Sequence, residues 1–579
     1  MSSGASLTKI AEINALKLAL KDKDASPNST AANGAIQTQG GTLYISKPYR
    51  SGYSKKLKAA VQFVPRTSHF DIGNESSSTN EFRGFFTLFW ISLFIFTVRT
   101  YVRSIEASGK PLNFAFATMI SRDALTLALS DAVLVLSTAL CVPFAKAVSR
   151  GWIRYYWTGV VLQHAFQTLT LFIAVKWTFN RQWPWVQSGF LTLHTLVMIM
   201  KMHSYMSVNG YLQFVSSQCE ELFSQLYAAT SAAGGWDKAV ADATVRRAEL
   251  DAIASDSEFG SPSVGTPASI PDATHKSYID AKTANELRRR LKSGSEDETN
   301  GSRQEAMGWV DGGYKPHTLV DHPDESIAAL ARDWSELDAE LVSSGPNKVR
   351  WPNNITLKNF AVYQLIPSLV YELEYPRTNR IRPLYVFEKT TATFGTFALL
   401  YTITETFILP LTPSPDQSFA KSLLDLALPF MVAYLLLFYI IFECICNGFA
   451  ELSYFADRQF YEDWWNSTSW DEFSRKWNKP VHSFLLRHVY ASTISSYRVS
   501  RFSAMFLTFL LSAAVHELVM AVVTQKIRMY LFTMQLFQVP LIAIGRLPAI
   551  KRNKLMGNVV FWVGLYAGFP LLCVAYVAY

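Results

Sequence analysis

The chain has 579 residues, of which 49% are hydrophobic and only 17% are charged. Soluble proteins carry charge on about a quarter of their residues, so this deficit and the long apolar runs predict a polytopic membrane protein. The formal net charge of +8 suits a protein that lies near anionic headgroups or handles an anionic substrate. No basic helix with interleaved base-reading residues occurs, so nucleic-acid binding is not expected.

The five cysteines predict neither a disulfide framework nor a zinc site, because their number is odd and their spacing fits neither. The sequence also lacks the GxxxxGKS, HExxH and CxxC motifs of nucleotide-hydrolysing and zinc proteins. We therefore expect no bound metal and no tightly bound cofactor.

Residues 1–80 are rich in Ser, Gly, Asn and Lys, which predicts a disordered, cytosolic N-terminal tail. The opening MSSGASLTKIAEINALKLAL has no apolar core of the kind found in cleavable signal peptides. Insertion is therefore expected to depend on the first internal span. The segment FVPRTSHFD, which precedes that span, is expected to lie on the membrane surface.

Nine apolar stretches are long enough to cross the hydrocarbon core as helices. They occupy residues 84–102, 124–145, 155–177, 188–205, 390–411, 423–446, 502–524, 529–547 and 557–579. We therefore predict an all-α polytopic membrane protein, with four spans in residues 81–205 and five in residues 351–579. The fourth span contains His194, Lys201 and His203, so we expect it to be buried among other helices or to line a cavity.

Residues 206–350 form a polar insert between the fourth and fifth spans, which we expect to be cytosolic. Its centre, residues 240–325, is rich in Ser, Gly, Pro and acidic residues and predicts disorder. The segment ESIAALARDWSELDAELV has helical periodicity. Residues 351–389 are too polar for a span and too aromatic for a linker, which predicts ordered surface structure. The Lys and Arg residues of the loops do not fix the orientation.

The seventh span carries a histidine and a glutamate, His516 and Glu517, near its middle. Ionisable side chains in lipid are costly and are usually functional. A neutral imidazole can accept a proton from a hydroxyl, and Ser512 lies one turn earlier on the same helix face. Alternatively, His516 is satisfied by a neighbouring helix; the residues alone leave both hypotheses open. Glu517 points about 100° away around the helix, so we expect it to pair elsewhere.

The polar segment before this span offers a second candidate. In KWNKPVH, the amide of Asn478 can donate to a developing oxyanion. Asn before Lys-Pro is also typical of a chain turn, and the residues alone favour that structural role. His482 and His488 are rival bases in the same basic stretch. Pairing within the helix bundle explains three acidic residues of the predicted spans, Asp131, Glu405 and Glu443.

Several motifs resemble a known family. The sequence FYEDWWNSTSW, followed by WN and a membrane His-Glu pair, resembles the membrane-bound O-acyltransferase superfamily and, within it, the sterol O-acyltransferases. Together with YPRTNRIRPLYVFEK, MKMHSYMSVNGYL and LLSAAVHEL, it is similar to the fungal sterol enzymes in particular. The resemblance runs from about Phe63 to the C-terminus, leaving out the centre of the insert. The family-motif positions are Phe460, Tyr461, Asp463, Trp464, Trp465, Asn466 and Glu517.

The resemblance implies nine transmembrane helices around an internal reaction chamber in the endoplasmic reticulum membrane. Long-chain acyl-CoA, the cosubstrate, enters from the cytosol, and an ergosterol-like or cholesterol-like sterol enters from the bilayer. His516 is then the base and Asn478 assists it. Trp477 and Ser512 lie close to the chemistry. The implied CoA-binding residues are Arg475, Tyr490 and Arg501, whose position in a basic stretch suits the phosphates of CoA.

The family also forms homodimers and larger assemblies, so the resemblance implies a homodimer or a dimer of dimers. Two other functions stay open at this point. Diacylglycerol can replace sterol as the acceptor with the same chemistry, and, more remotely, the protein is a membrane lipid transporter.

Overall fold

The structure, a computed structural model, describes residues 35–38, 41–45, 57–61, 63–70, 83–111, 115–256, 317–411, 417–545 and 553–578. In chain order its helices are α1 (Arg83–Ser108), α2 (Ala115–Ser121), α3 (Ala124–Ser149), α4 (Tyr155–Arg181), α5 (Trp185–Ala232), α6 (Trp236–Asp256), α7 (Glu325–Glu340), α8 (Leu357–Leu365), α9 (Pro383–Leu411), α10 (Phe419–Leu452), α11 (Trp470–Lys476), α12 (Lys479–Phe484), α13 (Ser492–Tyr497), α14 (Arg501–Thr524), α15 (Tyr530–Gly545) and α16 (Lys554–Ala578). Short 3₁₀ or π turns lie within α3 and α10, at the start of α4 and at the end of α9, and a π turn (Leu485–Ala491) joins α12 to α13.

Seven of these helices are long and apolar enough to cross a membrane, namely α1, α3, α4, α9, α10, α14 and α16. This confirms a helical, multi-pass membrane protein. The predicted count of nine is not confirmed. The stretch 188–205 is the first part of α5, a helix of 48 residues, and 529–547 corresponds to α15, whose apolar part (Tyr530–Ala543) is shorter than the other spans.

The length of α5 follows from the absence of a helix-breaking residue at the end of its apolar part. The helix continues until Gly234 and Gly235, which adopt positive φ angles of 109° and 104° that other residues rarely tolerate. Its N-terminal part packs against α4 and α14, and its C-terminal part packs against α7.

The main core lies where the membrane helices meet the polar segment between α10 and α11. Its buried aromatic rings come from five different parts of the chain: Tyr205, Phe360, Phe438, Trp464 and Phe561. Rings of this size bury large apolar areas and fix the relative positions of the elements that carry them. The segment predicted as ordered surface structure joins this core through the buried residues Tyr363, Tyr371 and Tyr375.

The described part of the N-terminal segment differs from the predicted disordered tail. Strands β1 (Ala35–Thr38), β2 (Gly41–Ile45) and β3 (Leu57–Ala60) form an antiparallel sheet in the order β1-β2-β3. Residues 63–70 pack against the protein core, where Phe63 and Phe70 meet aromatic partners. Their expected position on the membrane surface stays a prediction. The other residues of the predicted tail lie outside the described ones.

The insert is partly ordered. Its helices α6 and α7 and the turn Thr318–Asp321 pack on the end of α5 through a small apolar cluster that includes Leu226, Ala243 and Ile327. The segment with helical periodicity forms α7, as predicted, and Asp324 caps it by accepting a hydrogen bond from the Ser326 N–H group. Both ends of the region predicted as disordered are therefore folded, and residues 257–316 lie outside the described ones.

Candidate active site

One cavity of about 1750 Å³ collects the residues that the sequence singled out. Helices α11, α12, α14, α15 and α16 supply its walls. All the predicted catalytic and acyl-CoA-binding residues line it: Arg475, Trp477, Asn478, Tyr490, Arg501, Ser512 and His516. The fold thus joins the interfacial segment to the membrane histidine in one space.

The environment of His516 defines which ring nitrogen can act as a base. Its Nδ1 atom lies 2.7 Å from the main-chain carbonyl oxygen of Ser512 and 3.4 Å from the Ser512 hydroxyl. A carbonyl oxygen can only accept, so in the neutral ring Nδ1 carries the hydrogen and donates it. The lone pair is then on Nε2. A ring held in this tautomer can take a proton from a hydroxyl in the cavity.

Glu517 points away from His516 and has a different task. It accepts a hydrogen bond from the buried Tyr576 hydroxyl at 2.7 Å. It also accepts bonds from three backbone N–H groups around the start of α15, those of Arg528, Met529 and Phe532, at 3.3, 2.7 and 3.1 Å. A carboxylate at a helix N-terminus satisfies N–H groups that have no partner within the helix. Glu517 therefore ties α14 to α15 and α16.

Asn478 has the helix-start position that its sequence context favoured. Its Oδ1 atom accepts a hydrogen bond from the Val481 N–H group at 3.1 Å, which caps α12. The same side chain lines the cavity with His516. Its NH₂ group takes no part in this cap. The two roles considered from the sequence are therefore compatible, because they use different ends of one amide.

The FYxDWWN motif supports the loop that carries Asn478 and does not itself line the cavity. The Glu462 N–H group donates to the Lys476 carbonyl oxygen at 2.9 Å, and the Lys479 N–H group donates to the Phe460 carbonyl oxygen at 3.0 Å. The motif backbone is thus bonded on both sides of the Trp477–Asn478 pair. This explains why an aromatic-rich motif precedes the candidate catalytic residue.

Side chains of the motif reinforce the same loop. Lys476 forms an ion pair with Asp463 at 2.9 Å. Burial alone would raise the pKa of the Asp463 carboxyl, but the hydrogen bond and charge of Lys476 outweigh it and lower that pKa. Trp464 is buried and meets Trp477 edge to face, with ring centroids 4.8 Å apart, while Tyr434 stacks on Trp477 at 4.8 Å.

The remaining motif residues also have structural contacts. The Tyr461 hydroxyl donates to Glu443 at 2.9 Å, and the Asn466 side chain donates to Asp463 at 3.4 Å. The main-chain oxygen of Trp465 accepts hydrogen bonds from two side chains of α16, Asn558 and Trp562.

The two rival histidines differ in position. His482 lines the cavity, one turn after Asn478. Burial, helped by the positive charge of Arg475, lowers the pKa of His482 to about 4, which matches poorly with proton transfer near neutral pH. His488 is buried outside this cavity, with its Nε2 atom 2.7 Å from the Ser204 hydroxyl.

The acidic residues of the spans have partners in the bundle, as expected. Asp131 pairs with His194. Glu443 pairs with Lys389 at 2.8 Å, and both side chains are buried. Glu405 interacts with Tyr401.

Sequence reasoning missed the wall that α15 contributes. Gln535 and Gln538 line the cavity, and the Gln538 amide donates to Gln535 at 3.2 Å. Two glutamines one helical turn apart in an apolar stretch were the available signal, because polar groups in a span usually face a cavity or a partner.

The fold and the cavity define a multi-pass membrane protein in which a histidine of a candidate span, His516, lines a large cavity together with polar residues of the segment before that span. Residues 172–578 match the membrane-bound O-acyltransferase family. The chain is 31% identical over 542 residues to probable sterol O-acyltransferase 1 of Schizosaccharomyces pombe, which covers 90% of this chain and 87% of the relative. It is 32% identical over 553 residues to sterol O-acyltransferase 2 of Candida albicans, with coverage of 92% and 81%.

A third similarity is partial. The chain is 33% identical over 245 residues to diacylglycerol O-acyltransferase 1 of Dictyostelium discoideum, which covers 41% of this chain and 39% of the relative. The chain belongs to the membrane-bound O-acyltransferase family, and it is an acyltransferase. The resemblance drawn from the motifs is thus confirmed, and the transporter hypothesis is dropped.

Proposed function

We propose that this enzyme transfers the acyl group of a long-chain acyl-CoA to the 3-hydroxyl of a sterol, forming a steryl ester for neutral lipid storage. The observation that carries the proposal is the joint lining of one cavity by His516, Asn478 and a cationic stretch. The similarity to sterol O-acyltransferases extends over about nine-tenths of the chain, whereas the similarity to a diacylglycerol enzyme covers 41% of it. Sterol is therefore the favoured acceptor.

The reaction follows from the hydrogen-bonding state of the side chains. Nε2 of His516 removes the proton of the sterol hydroxyl as its oxygen attacks the thioester carbonyl carbon. The Asn478 NH₂ group donates to the oxygen that becomes negative. When the intermediate collapses, the carbon–sulfur bond breaks, and the CoA sulfur takes the proton from His516. No covalent acyl-enzyme is required.

The polar part of the cavity wall suits the CoA group, and the apolar part suits the acyl chain or the sterol. Arg475 and Arg501 line the cavity, where Arg475 also forms an ion pair with Asp471 of the same wall; guanidinium groups bind phosphate oxygens strongly. Tyr490 lines the same cavity. Met534 and Leu541 of α15 supply apolar surface suited to an acyl chain or a sterol ring system.

The same arrangement supports a location and an orientation. We place the enzyme in the endoplasmic reticulum membrane, with the CoA-binding stretch toward the cytosol, where acyl-CoA is supplied. Strand β3 packs on the π turn and α13, which belong to this stretch, so the N-terminal segment lies on the same side. A cytosolic N-terminus is consistent with that packing. A homodimer or a dimer of dimers stays a prediction.

Acceptor profiling tests the proposal directly. Purified enzyme in detergent receives labelled oleoyl-CoA with equal amounts of ergosterol and diacylglycerol. We expect label in steryl ester. Label in triacylglycerol with none in steryl ester would establish the alternative favoured by the partial Dictyostelium similarity, a diacylglycerol O-acyltransferase.

A further inference from the structure

We propose that residues 63–70, here called the strap, position the acyl-CoA side of the cavity, with Arg66 and Ser68 as its positioning residues. The proposal rests on the proposed function, because it assigns the strap to acyl-CoA binding by that site. Neither Arg66 nor Ser68 lines the cavity, so both act through the residues they contact.

The first anchor of the strap is the Arg66–Asp457 pair. The guanidinium donates two hydrogen bonds to the carboxylate, Nε to Oδ1 at 2.9 Å and Nη2 to Oδ2 at 2.5 Å. The Arg66 N–H group donates to the Ala456 oxygen at 3.1 Å, and the Arg458 N–H group donates to the Arg66 oxygen at 2.9 Å. Asp457 is only 5% exposed. A bidentate ion pair of this kind fixes the relative orientation of the two side chains as well as pairing their charges.

The second anchor reaches into the membrane helices. Ser68 is 1% exposed, and its hydroxyl donates to the buried carboxylate of Glu443. Glu443 also accepts from Lys389 at 2.8 Å and from the Tyr461 hydroxyl at 2.9 Å. A buried carboxylate is tolerated only when its oxygens are satisfied, so each donor contributes to the same junction. The strap thus shares its anchor with the FYxDWWN motif.

Aromatic rings hold both ends of the strap. Phe63 packs edge to face with Phe455, with ring centroids 5.9 Å apart, and Phe70 stacks on Trp465 at 5.5 Å. The strap therefore covers the segment from Phe455 to Trp465 along its length.

Two continuous routes connect the strap to the cavity. Through the loop, Asp457 lies just before Phe460, whose carbonyl oxygen accepts from the Lys479 N–H group next to Asn478. Through packing, Phe63 joins an apolar cluster that includes Val481 and Leu485, and these two side chains line the cavity. Packed side chains and hydrogen bonds of this kind can carry coupling between distant groups.

The strap belongs to the N-terminal segment, far in sequence from the catalytic motifs, yet it contacts the segment that leads to Asn478. Loosening it should shift α11 and α12, which carry Arg475 and lead to Tyr490, more than α14, which carries His516. The expected consequence is weaker binding of acyl-CoA with a smaller change in the chemical step.

The test measures the dissociation constant of oleoyl-CoA for the full-length protein in detergent, so that it does not depend on the acceptor. Arg66→Gln removes the bidentate ion pair with Asp457, and we expect oleoyl-CoA to bind about tenfold more weakly. Asp457→Asn should have the same effect, and the double variant should bind no more weakly than either single variant, because both changes remove one interaction. Arg332→Gln, which breaks a surface pair with Glu325, is the matched control and should leave binding unchanged.

Kinetics with sterol acceptor add a second measurement. Arg66→Gln should raise KM for oleoyl-CoA about tenfold and change kcat by less than about threefold, and Arg66→Lys should restore part of the affinity because it keeps the charge. Ser68→Ala should act in the same direction. Unchanged oleoyl-CoA binding in Arg66→Gln, with only a lower unfolding temperature, would overturn the proposal and leave the strap a purely structural element.

The two proposals fail in different ways. If the wild-type protein esterifies diacylglycerol instead of sterol, the proposed acceptor is wrong, while the oleoyl-CoA binding experiment still decides the role of the strap. If Arg66→Gln does not fold, Arg66→Lys and Ser68→Ala give the same comparison with smaller perturbations.

Discussion

Asn478 offers the sharpest separation between a structural and a chemical role. Its Oδ1 atom caps α12 through the Val481 N–H group at 3.1 Å, while its NH₂ group is the proposed oxyanion donor. Asp and Ser in its place keep an acceptor for the cap but lack the amide donor. Ala lacks both. The three substitutions therefore divide the two roles.

The expected magnitudes differ enough to distinguish these roles. Replacing an N-cap by Ala costs about 1 kcal/mol of stability, whereas Asp and Ser are good N-caps and should cost little. Removing one oxyanion donor lowers kcat by about 10²–10³-fold, which corresponds to about 3–4 kcal/mol. We thus expect Asn478→Asp and Asn478→Ser to be stable and nearly inactive, and Asn478→Ala to be inactive and also less stable.

The assay combines initial rates at saturating oleoyl-CoA and sterol with thermal unfolding of the same purified samples. Asp324→Ala is the matched control, because it removes the N-cap of α7. That variant should lose stability and keep normal turnover. Near-normal turnover in Asn478→Ser, with lost activity confined to Asn478→Ala, would show that the residue acts only as a cap and would refute this part of the mechanism.

Two further predictions concern the stability of the site. Glu517→Ala removes the acceptor of four hydrogen bonds at the junction of α14, α15 and α16. We expect the free energy of unfolding to fall by on the order of 3 kcal/mol, seen as a lower unfolding temperature. An unchanged unfolding temperature would show that Glu517 does not hold these three helices together. The pKa of His482 is lowered to about 4 by burial and by Arg475, so the unfolded chain takes up a proton at this residue below about pH 6.5 while the folded protein does not. Stability should therefore fall from about pH 6.5 to pH 4, and His482→Gln should lessen that fall; an identical pH profile would show that this histidine is not desolvated.

Hydropathy located the membrane part of this protein well but could not set the length of every helix. Seven of the nine predicted stretches correspond to helices that are long and apolar enough to cross a membrane. The stretch 188–205 has no breaker at its end, so the helix runs on to the two glycines after Ala232. An apolar window measures where lipid can lie against the chain, and it carries no information on where the hydrogen-bonded helix stops.

The candidate site could also be predicted from the sequence only in part. Residues with charge or an amide in an unusual context, such as His516 and Asn478, could be found from chemistry and motif together. The Arg66–Asp457 pair could not, because it joins positions far apart in sequence and neither residue stands out locally. The glutamines of α15 were visible as polar residues in an apolar stretch, but only the fold shows that they face the same cavity as His516.

The most direct test of the central claim compares acyl transfer by the wild-type enzyme and by His516→Ala, with labelled oleoyl-CoA and sterol. His164→Ala serves as a histidine control outside the cavity, on the exposed face of α4. We predict steryl ester formation by the wild type and by His164→Ala, and none by His516→Ala despite normal folding. Steryl ester formation by His516→Ala at a rate close to that of the wild type would contradict the account.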